Sequence, residues 1–286
     1  MKKICFVTTV YMTYKCFLKQ LSQYLYETGE YDISLICNNE DEVLKDMPIF
    51  VHYHPVDMKR GVSLSALDAI KKIGKILKKE KFDIVQYSTP NAAFYTSIAA
   101  RRKKVPVRLY CQWGIRYMGF EGWKRSLFKY LEKKTCDNST FIEVESHNIR
   151  NFSLEEKLYT ADRSCVIWNG SASGVDLNKF DISKKKYWRE KIREILALSE
   201  NDIVFAFAGR LTADKGVNEL LAAFLNIEKK HTCVKLLMLG GMDNHKSLNQ
   251  ELLSKAEMSK NIIFTGNVPN IETVSYTHLR AHETSA

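Results

Sequence analysis

The sequence predicts an α/β protein with two doubly wound parallel sheets, the second of which is incomplete. Three observations lead to this fold class. Short apolar runs alternate with helical periodicity, the alternation restarts after a small polar segment, and the second round supplies only three strands. Doubly wound domains usually have about five or six strands. The chain of 286 residues, 45% hydrophobic and 27% charged, is long enough for two globular domains.

The first domain is predicted at residues 1–168, which contain six strand-like and four helix-like segments. The helix-like segments carry apolar residues at helical spacing, as Leu67, Ile70 and Leu77 do on one face. Helices between successive strands indicate that these strands run parallel. The predicted strands are 4–10, 33–37, 84–87, 107–111, 141–144 and 165–167, and the predicted helices are 17–25, 64–79, 92–102 and 123–134.

A small, polar, turn-forming segment from Asn169 to Gly174 separates the two rounds of alternation. We therefore predict an interdomain linker at residues 169–183 and a partial second domain at residues 184–273. The run 203–208 is short and uniformly apolar, which predicts a buried strand. In chain order the predicted elements are helix 184–198, strand 203–208, helix 217–229, strand 234–239, helix 247–258 and strand 262–265.

Residues 274–286 show neither helical nor strand periodicity, although a helix should follow the third strand here. Over the nine codons of residues 275–283, this segment matches the translation of a transposase-type sequencing adapter. We therefore interpret 274–286 as a non-native tail. Its pair of histidines, His278 and His282, is given no metal-binding role despite the suggestive spacing.

Bulk properties indicate a cytoplasmic protein with anionic partners. The net charge of +10 favours acidic lipid, phosphorylated substrates or nucleic acid. The apolar run at the amino terminus is too short for a signal peptide, and no segment reaches the ~20 apolar residues of a membrane helix. Seven scattered cysteines without a C-x-x-C pair indicate a reducing compartment and no disulfide framework.

The most informative segment is a glycine turn with two cations, Arg210 and Lys215, between the predicted strand 203–208 and the helix after it. Gly209 and Gly216 bracket the cations. Carboxyl ends of parallel strands and amino termini of helices are where α/β proteins bind anions. Arginine can hold a diphosphate with two hydrogen bonds, and lysine adds a point charge. The order of these residues favours a phosphate site over a solvated basic turn.

With these segments assembled, residues 1–273 resemble a family-four glycosyltransferase of the B-type fold, of the bacterial polysaccharide type. The strongest match is the turn from Gly209 to Gly216, and the segment 168–180 is the second. Weaker matches are 82–90 and 114–117. The resemblance implies two Rossmann-like domains that face each other across a cleft. It also implies retaining transfer of a sugar from a UDP- or GDP-sugar donor, with no permanently bound cofactor and no required metal.

The resemblance implies roles for residues on both sides of the cleft. Arg210 and Lys215 would grip the donor diphosphate and stabilise charge on the leaving group. Asp176 fits a helix cap as well as a place in the cleft. The donor-side residues further include Gly209, Gly216, Asn169 and Gly170, and the acceptor-side residues are Thr8, Thr9, Thr13, Gly114 and Arg116.

The chain departs from the family pattern in three places. Two glutamates eight positions apart, which hold ribose and sugar in the family, would lie beyond residue 273. Gln112 and Trp113 stand before the Gly114 turn where the family often has a histidine, and glutamine cannot titrate. The loop from Thr8 to Thr13 also lacks the family's paired glycines. We therefore expect a truncated chain with little transferase activity.

The expected acceptor is a glycan or a polyprenyl-linked glycan in cell-surface polysaccharide assembly. Two basic segments, 123–134 and 71–81, fit a peripheral site at the inner face of the plasma membrane, because basic amphipathic helices bind anionic lipid surfaces. Each also fits an ordinary helix with a core-facing side and a solvated side.

Two other classes of protein were weighed. A sugar-nucleotide epimerase of the same fold is disfavoured by the Gly-Arg…Lys-Gly turn. A basic nucleic-acid-binding protein would need aromatic side chains clustered among its surface cations, and the sequence shows no such cluster, so no nucleic acid is expected. Glu143 and Glu145 alternate at a strand end without a third partner, so no acid–base pair is assigned to them.

Overall fold

The computed structural model describes residues 1–58, 65–242 and 247–276. The chain divides into two compact units, Met1–Gly174 and Val175–Ala286. The division lies within the segment 169–183 that the sequence predicts as a linker. Ten residues of the predicted tail, 277–286, with His278 and His282, lie outside the described residues, whereas Val274 and Tyr276 are buried in the second unit.

The first unit is a single parallel sheet of seven strands in the order β3-β2-β1-β4-β5-β6-β7. Its strands are β1 (Lys2–Val7), β2 (Tyr31–Cys37), β3 (Val51–Pro55), β4 (Ile84–Tyr87), β5 (Val107–Gln112), β6 (Phe141–Val144) and β7 (Ser164–Cys165). Its helices are α1 (Tyr11–Phe17), α2 (Lys19–Glu27), α3 (Asp41–Asp46), α4 (Ser65–Glu80), α5 (Pro90–Arg102), α6 (Gly122–Asn138) and α7 (His147–Glu155).

The two faces of this sheet carry separate hydrophobic layers, because successive side chains of a strand point to opposite faces. Along β1, Cys5 and Val7 pack into the layer made with α4 and α5. Ile4 and Phe6 pack into the layer made with α1 and α3. From Ile4 to Val7 the strand is therefore apolar on both faces, as expected for a central strand of a doubly wound sheet.

The second unit has a smaller parallel sheet of three strands, in the order β10-β9-β8. Its strands are β8 (Ile203–Ala208), β9 (Val234–Leu239) and β10 (Ile262–Gly266), and its helices are α8 (Lys185–Ile195), α9 (Val217–Ile227), α10 (Gln250–Met258) and α11 (Ile271–Ser275). The core of the unit lies mainly between β9 and α9, where Leu236, Met238 and Leu221 are buried.

The α/β class, the parallel sheets and the alternation of elements are confirmed, and several details differ from prediction. The strand predicted at 4–10 ends at Val7, because the chain turns into α1. The helix predicted at 17–25 is interrupted at Leu18. The elements β3, α3 and α7 were not predicted. The strand predicted at 203–208 is confirmed as β8, but its predicted burial is wrong: within the described residues β8 pairs only with β9, and Phe205 is 45% exposed.

All seven cysteines are free. Five of them are buried or half-buried, whereas Cys16 and Cys233 are exposed. Within residues 1–58, 65–242 and 247–276, none of the helices has the length and apolarity needed to cross a bilayer.

Candidate functional site

The strand order of the first unit reverses between β1 and β4. Doubly wound sheets bind ligands where the order reverses, just beyond the carboxyl ends of the strands. Thr8 and Thr9 follow β1, and Thr89 follows β4. The topology thus brings together two loops that are 80 residues apart in the sequence.

A pair of threonines joins these two loops. The Thr9 and Thr89 hydroxyls are 2.8 Å apart, and the backbone N–H of Thr9 donates to the Thr89 hydroxyl at 3.2 Å. Thr89 has a φ of 63°, which is uncommon for a β-branched residue. Thr8 is fully buried and its hydroxyl donates to the Val10 carbonyl at 3.0 Å, so this side chain stabilises the loop. Thr13 is half-buried in α1.

The loops that follow β5, β6 and β7 converge on Glu145. The backbone N–H of Ser171 donates to the Glu145 carbonyl at 2.7 Å. Gly170 has a φ of 91°, and a Cβ at this position would lie 2.3 Å from the same oxygen. A Cβ on Gly114, which has a φ of 93°, would lie 3.9 Å from Glu145 Oε1. Glycine is therefore required at residue 170 by close approach of the backbone.

The segment after β7 has an unusual backbone. Trp168, Gly170 and Ser171 all have positive φ, and Asn169 between them is exposed. Non-glycine residues in this region cost of order 1–3 kcal/mol and are concentrated at functional sites. The segment also forms the rim of a cavity of about 510 Å³ whose polar floor is Gln86, Cys111 and Glu143.

Glu145 is the residue of this edge that sequence reasoning missed. Burial, followed by the nearby Glu143 carboxylate, raises the pKa of Glu145 above its ordinary value. Burial likewise raises the pKa of Glu143. The sequence shows Glu143 and Glu145 alternating at a strand end. It does not show that the glycine loops around Glu145 meet there, because these loops come from different parts of the chain.

The cationic turn of the second unit follows β8. A Cβ on Gly240 would lie 1.8 Å from the Gly209 carbonyl oxygen, so glycine lets the ends of β8 and β9 approach. The Arg210 side chain is 70% exposed, and its Nη2 lies 3.8 Å from Asp214 Oδ2. Lys215 is also exposed.

The turn passes directly into helix α9. Gly216 is the N-cap residue, with φ of 72° and ψ of 19°, and no side chain caps the helix there. The first backbone N–H groups of α9 are therefore available to an anion beside Arg210 and Lys215. The structure thus brings together the donor-side residues that the sequence predicts in this unit.

Residues 3–146 match the sequence profile of a family described as glycosyl transferase 4-like. The chain belongs to this family. Residues 188–282 match a second profile, described as glycosyl transferases group 1, which extends into the segment predicted as a tail.

The chain is similar to glycosyltransferases of known function. It is 28% identical over 216 residues to the capsular polysaccharide biosynthesis glycosyltransferase CapM of Staphylococcus aureus, covering 75% of this chain and 56% of the relative. It is 28% identical over 193 residues to the UDP-Gal:alpha-D-GlcNAc-diphosphoundecaprenol alpha-1,3-galactosyltransferase of Escherichia coli, covering 65% of this chain and 47% of the relative. The chain thus spans about half the length of these curated relatives.

Solved structures support the fold. Anabaena Alr3699/HepE, in complex with UDP and glucose, matches with a TM-score of 0.72 and 15% identity, covering 97% of this chain and 72% of that chain. A glycosyltransferase from Rickettsia africae matches with a TM-score of 0.71 and 19% identity, covering 97% and 71%. A UDP-GlcNAc 2-epimerase from Neisseria meningitidis matches at 0.61 with 20% identity, covering 96% and 74%. At these identities the matches establish the B-type glycosyltransferase fold alone.

In this member of the glycosyl transferase 4-like family, Gln112 belongs to a buried network. Gln112 Nε2 donates to Glu132 Oε1 at 2.7 Å, and Tyr110 donates to the same oxygen at 2.8 Å. The Tyr159 and Ser153 hydroxyls donate to Gln112 Oε1 at 2.9 and 3.2 Å. Burial raises the pKa of Glu132, against the effect of these hydrogen bonds. The Gln112 side chain thus supports the end of β5.

Arg116 lies on a short turn after Gly114 and is exposed. Its guanidinium lies 4.5 Å from the centre of the Phe128 ring, a cation–π arrangement with α6. Arg116, Phe94 and Glu132 are among the residues that line a small apolar cavity of about 60 Å³ between α5 and α6. Arg116 therefore contacts helix α6 through the Phe128 ring.

Proposed function

We propose that this chain carries the acceptor-side domain and part of the donor-side domain of a sugar transferase. The donor is a UDP- or GDP-sugar, and the acceptor is a glycan or a polyprenyl-linked glycan in cell-surface polysaccharide assembly. Family membership supports the reaction class. The name of the Staphylococcus aureus relative supports a place in polysaccharide synthesis, and the substrates named for the Escherichia coli relative support a UDP-sugar donor and a polyprenyl-linked acceptor.

The observation that carries the proposal is the turn from Gly209 to Gly216. Two exposed cations stand beside an uncapped helix amino terminus, at the carboxyl end of a parallel strand. Arg210 would bind the donor diphosphate through two hydrogen bonds, and Lys215 would neutralise its remaining charge. As the bond from sugar to phosphate breaks, negative charge grows on the diphosphate, and fixed cations stabilise that charge.

This chemistry requires no protein nucleophile and no metal ion, and we propose transfer with retention of anomeric configuration. Acceptor hydroxyl groups would be bound at the edge of the first sheet, by the Thr9–Thr89 pair and by Glu145. We expect the 286-residue chain to bind the donor nucleotide through the turn from Gly209 to Gly216. The protein would act in the cytoplasm.

Nucleotide binding tests the donor site without requiring turnover. Titration calorimetry with UDP and GDP should give binding that Arg210→Ala weakens about 10- to 100-fold, because hydrogen bonds to charged groups contribute roughly 1.5–3 kcal/mol. Lys215→Ala should weaken binding about tenfold by the same reasoning. Lys230→Ala removes an exposed cation beyond the other end of α9 and is the matched control, which should bind as the unaltered chain does.

Equal affinity of Arg210→Ala and the unaltered chain would contradict the assignment of the diphosphate site. Binding of uridine as tightly as UDP would contradict it as well, because the turn is proposed to recognise phosphate.

A further inference from the structure

Helix α6 exposes an apolar ridge along its outer side. Trp123, Leu127 and Tyr130 are 72%, 37% and 58% exposed. They are spaced four and three residues apart, so they lie in one row on the helix surface. The opposite side of the helix holds the buried Glu132, Thr135 and Cys136. An ordinary surface helix has this polarity reversed, with polar residues farthest from the core.

Cations flank the ridge. The ammonium groups of Lys124 and Lys134 lie 5.9 and 5.5 Å from the ring centres of Trp123 and Tyr130. The whole helix carries five cationic side chains and two acidic ones: Glu132, which is buried, and Asp137, which pairs with Lys133. The surface around the ridge is therefore positive.

A basic hollow lies beside the ridge. It has a volume of about 410 Å³, and Tyr130 of the ridge forms part of its wall. Lys129, Lys133 and Lys157 line it together with one carboxylate, Glu156, which accepts from Lys129 at 2.6 Å. A concave surface with an excess of ammonium groups suits an anionic group such as a lipid phosphate.

We propose that this surface, the ridge Trp123–Leu127–Tyr130 with the hollow beside it, binds the anionic headgroup region of a lipid bilayer. Amphipathic aromatic side chains prefer the boundary between headgroups and acyl chains. Lysines at a membrane surface are attracted by acidic lipids, and the chain's net charge of +10 adds to this attraction. The ridge would lie at the boundary, and the hollow would bind the phosphate of a neighbouring lipid.

Single-stranded nucleic acid fits this surface less well. Trp123 and Tyr130 are seven residues apart along a convex ridge, about 10 Å at the rise of an α-helix. Consecutive bases stack on closely spaced rings inside a positive groove. The aliphatic Leu127 between the rings also suits acyl chains better than bases.

This proposal can be tested separately from sugar transfer, because vesicle binding requires neither donor nor turnover. The full chain should co-sediment with vesicles of phosphatidylcholine and phosphatidylglycerol at 7:3, and not with phosphatidylcholine alone. Binding should weaken as salt is raised from low to physiological concentration, since surface charges are screened.

Two sets of variants locate the surface. Trp123→Ser with Tyr130→Ser should reduce vesicle affinity at least tenfold. Lys124→Ser with Lys134→Ser should reduce it about 25-fold, at roughly fivefold for each lysine near an acidic surface. The matched control, Lys229→Ser with Lys230→Ser after α9 in the second unit, removes the same charge from two exposed positions outside both basic segments and should change affinity less than threefold. Circular dichroism should show the same thermal unfolding for all variants, because the altered side chains are exposed.

The proposal would be overturned if the unaltered chain bound no acidic vesicles at low salt, or if the ridge variant bound them as well as the Lys229 and Lys230 control. It would also be overturned if the ridge variant abolished a dimer or an oligonucleotide complex while vesicle binding stayed unchanged. Loss of binding in both ridge sets, with the control retained, would support it.

Discussion

The first strand of each unit contains an apolar run, and the two runs have different environments. β1 is flanked by β2 and β4 and buries Ile4 through Val7, whereas β8 pairs with β9 alone among the described residues. Both runs are apolar enough for a central strand. The difference teaches that an apolar run shows only a capacity for burial, and that neighbouring strands and helices decide whether the burial occurs.

The largest test of this comparison replaces one phenylalanine in each strand. Phe6→Ala should lower the free energy of unfolding by about 3–5 kcal/mol, because Phe6 is fully buried. Phe205→Ala should cost about 1 kcal/mol, since its side chain is 45% exposed and contacts Phe224 with only one edge. Urea denaturation followed by circular dichroism measures both. Equal losses would mean that β8 is buried in solution by a neighbour outside the described residues.

The second test uses one glycine from each unit. At each of these glycines, the backbone of another segment of the same unit approaches closely. Gly170→Ala and Gly240→Ala should each destabilise by about 3 kcal/mol, because a new Cβ would overlap a backbone oxygen that cannot easily move. Gly29→Ala is the control: its φ is 71° but nothing lies within 4 Å of a Cβ, so the cost should be about 1 kcal/mol. Gly240→Ala should also weaken UDP binding, measured by calorimetry, because it displaces the backbone at Gly209.

The smallest test compares how the units respond to pH. In unit one, burial raises the pKa of Glu132, so the folded state holds its proton more tightly than the unfolded chain does. The contribution of the Glu132 carboxyl to the free energy of unfolding therefore decreases as pH rises from about 4.5 through the pKa of the folded state. In unit two, the hydrogen bond from Lys255 lowers the pKa of Glu251. The contribution of Glu251 to the free energy of unfolding is therefore lost as pH falls.

The matched variants are Glu132→Gln and Glu251→Gln. Stability relative to the unaltered chain, measured by urea denaturation from about pH 3 to about pH 7, should change in opposite directions with pH for the two, above about pH 4.5 for Glu132→Gln and below it for Glu251→Gln. The same direction for both would contradict the assigned burial of Glu132.

Strand sequences predicted most of the fold. The runs 84–87, 141–144, 203–208 and 234–239 have the predicted bounds, because β-branched and aromatic residues there stand between polar segments. β3 was missed because its sequence, Val51 to Pro55, alternates two histidines with other residues and ends in proline. α7 was missed because only Ser146, whose hydroxyl accepts from the Ile149 N–H, indicates its start.

The candidate site, like the fold, could be predicted from the sequence only in part. Arg210 and Lys215 could be placed from the sequence, because strand, turn and helix that position them are consecutive. The pairing of Thr9 with Thr89 depends on the neighbourhood of β1 and β4, which no local pattern contains. The exposure of Trp123 and Tyr130 on α6 was likewise not predicted, since the periodicity of that helix suits a core-facing stripe equally well.

The free cysteines offer a way to follow motion between the units. Cys16 belongs to the first unit and Cys233 to the second, and both are exposed. Burial raises the pKa of the Cys111 and Cys136 thiols well above the ordinary value, which keeps them unreactive. Brief maleimide treatment near neutral pH should therefore attach one fluorophore to each unit without any engineered residue. Energy transfer between a donor dye and an acceptor dye would then report whether a nucleotide sugar changes the distance between the units.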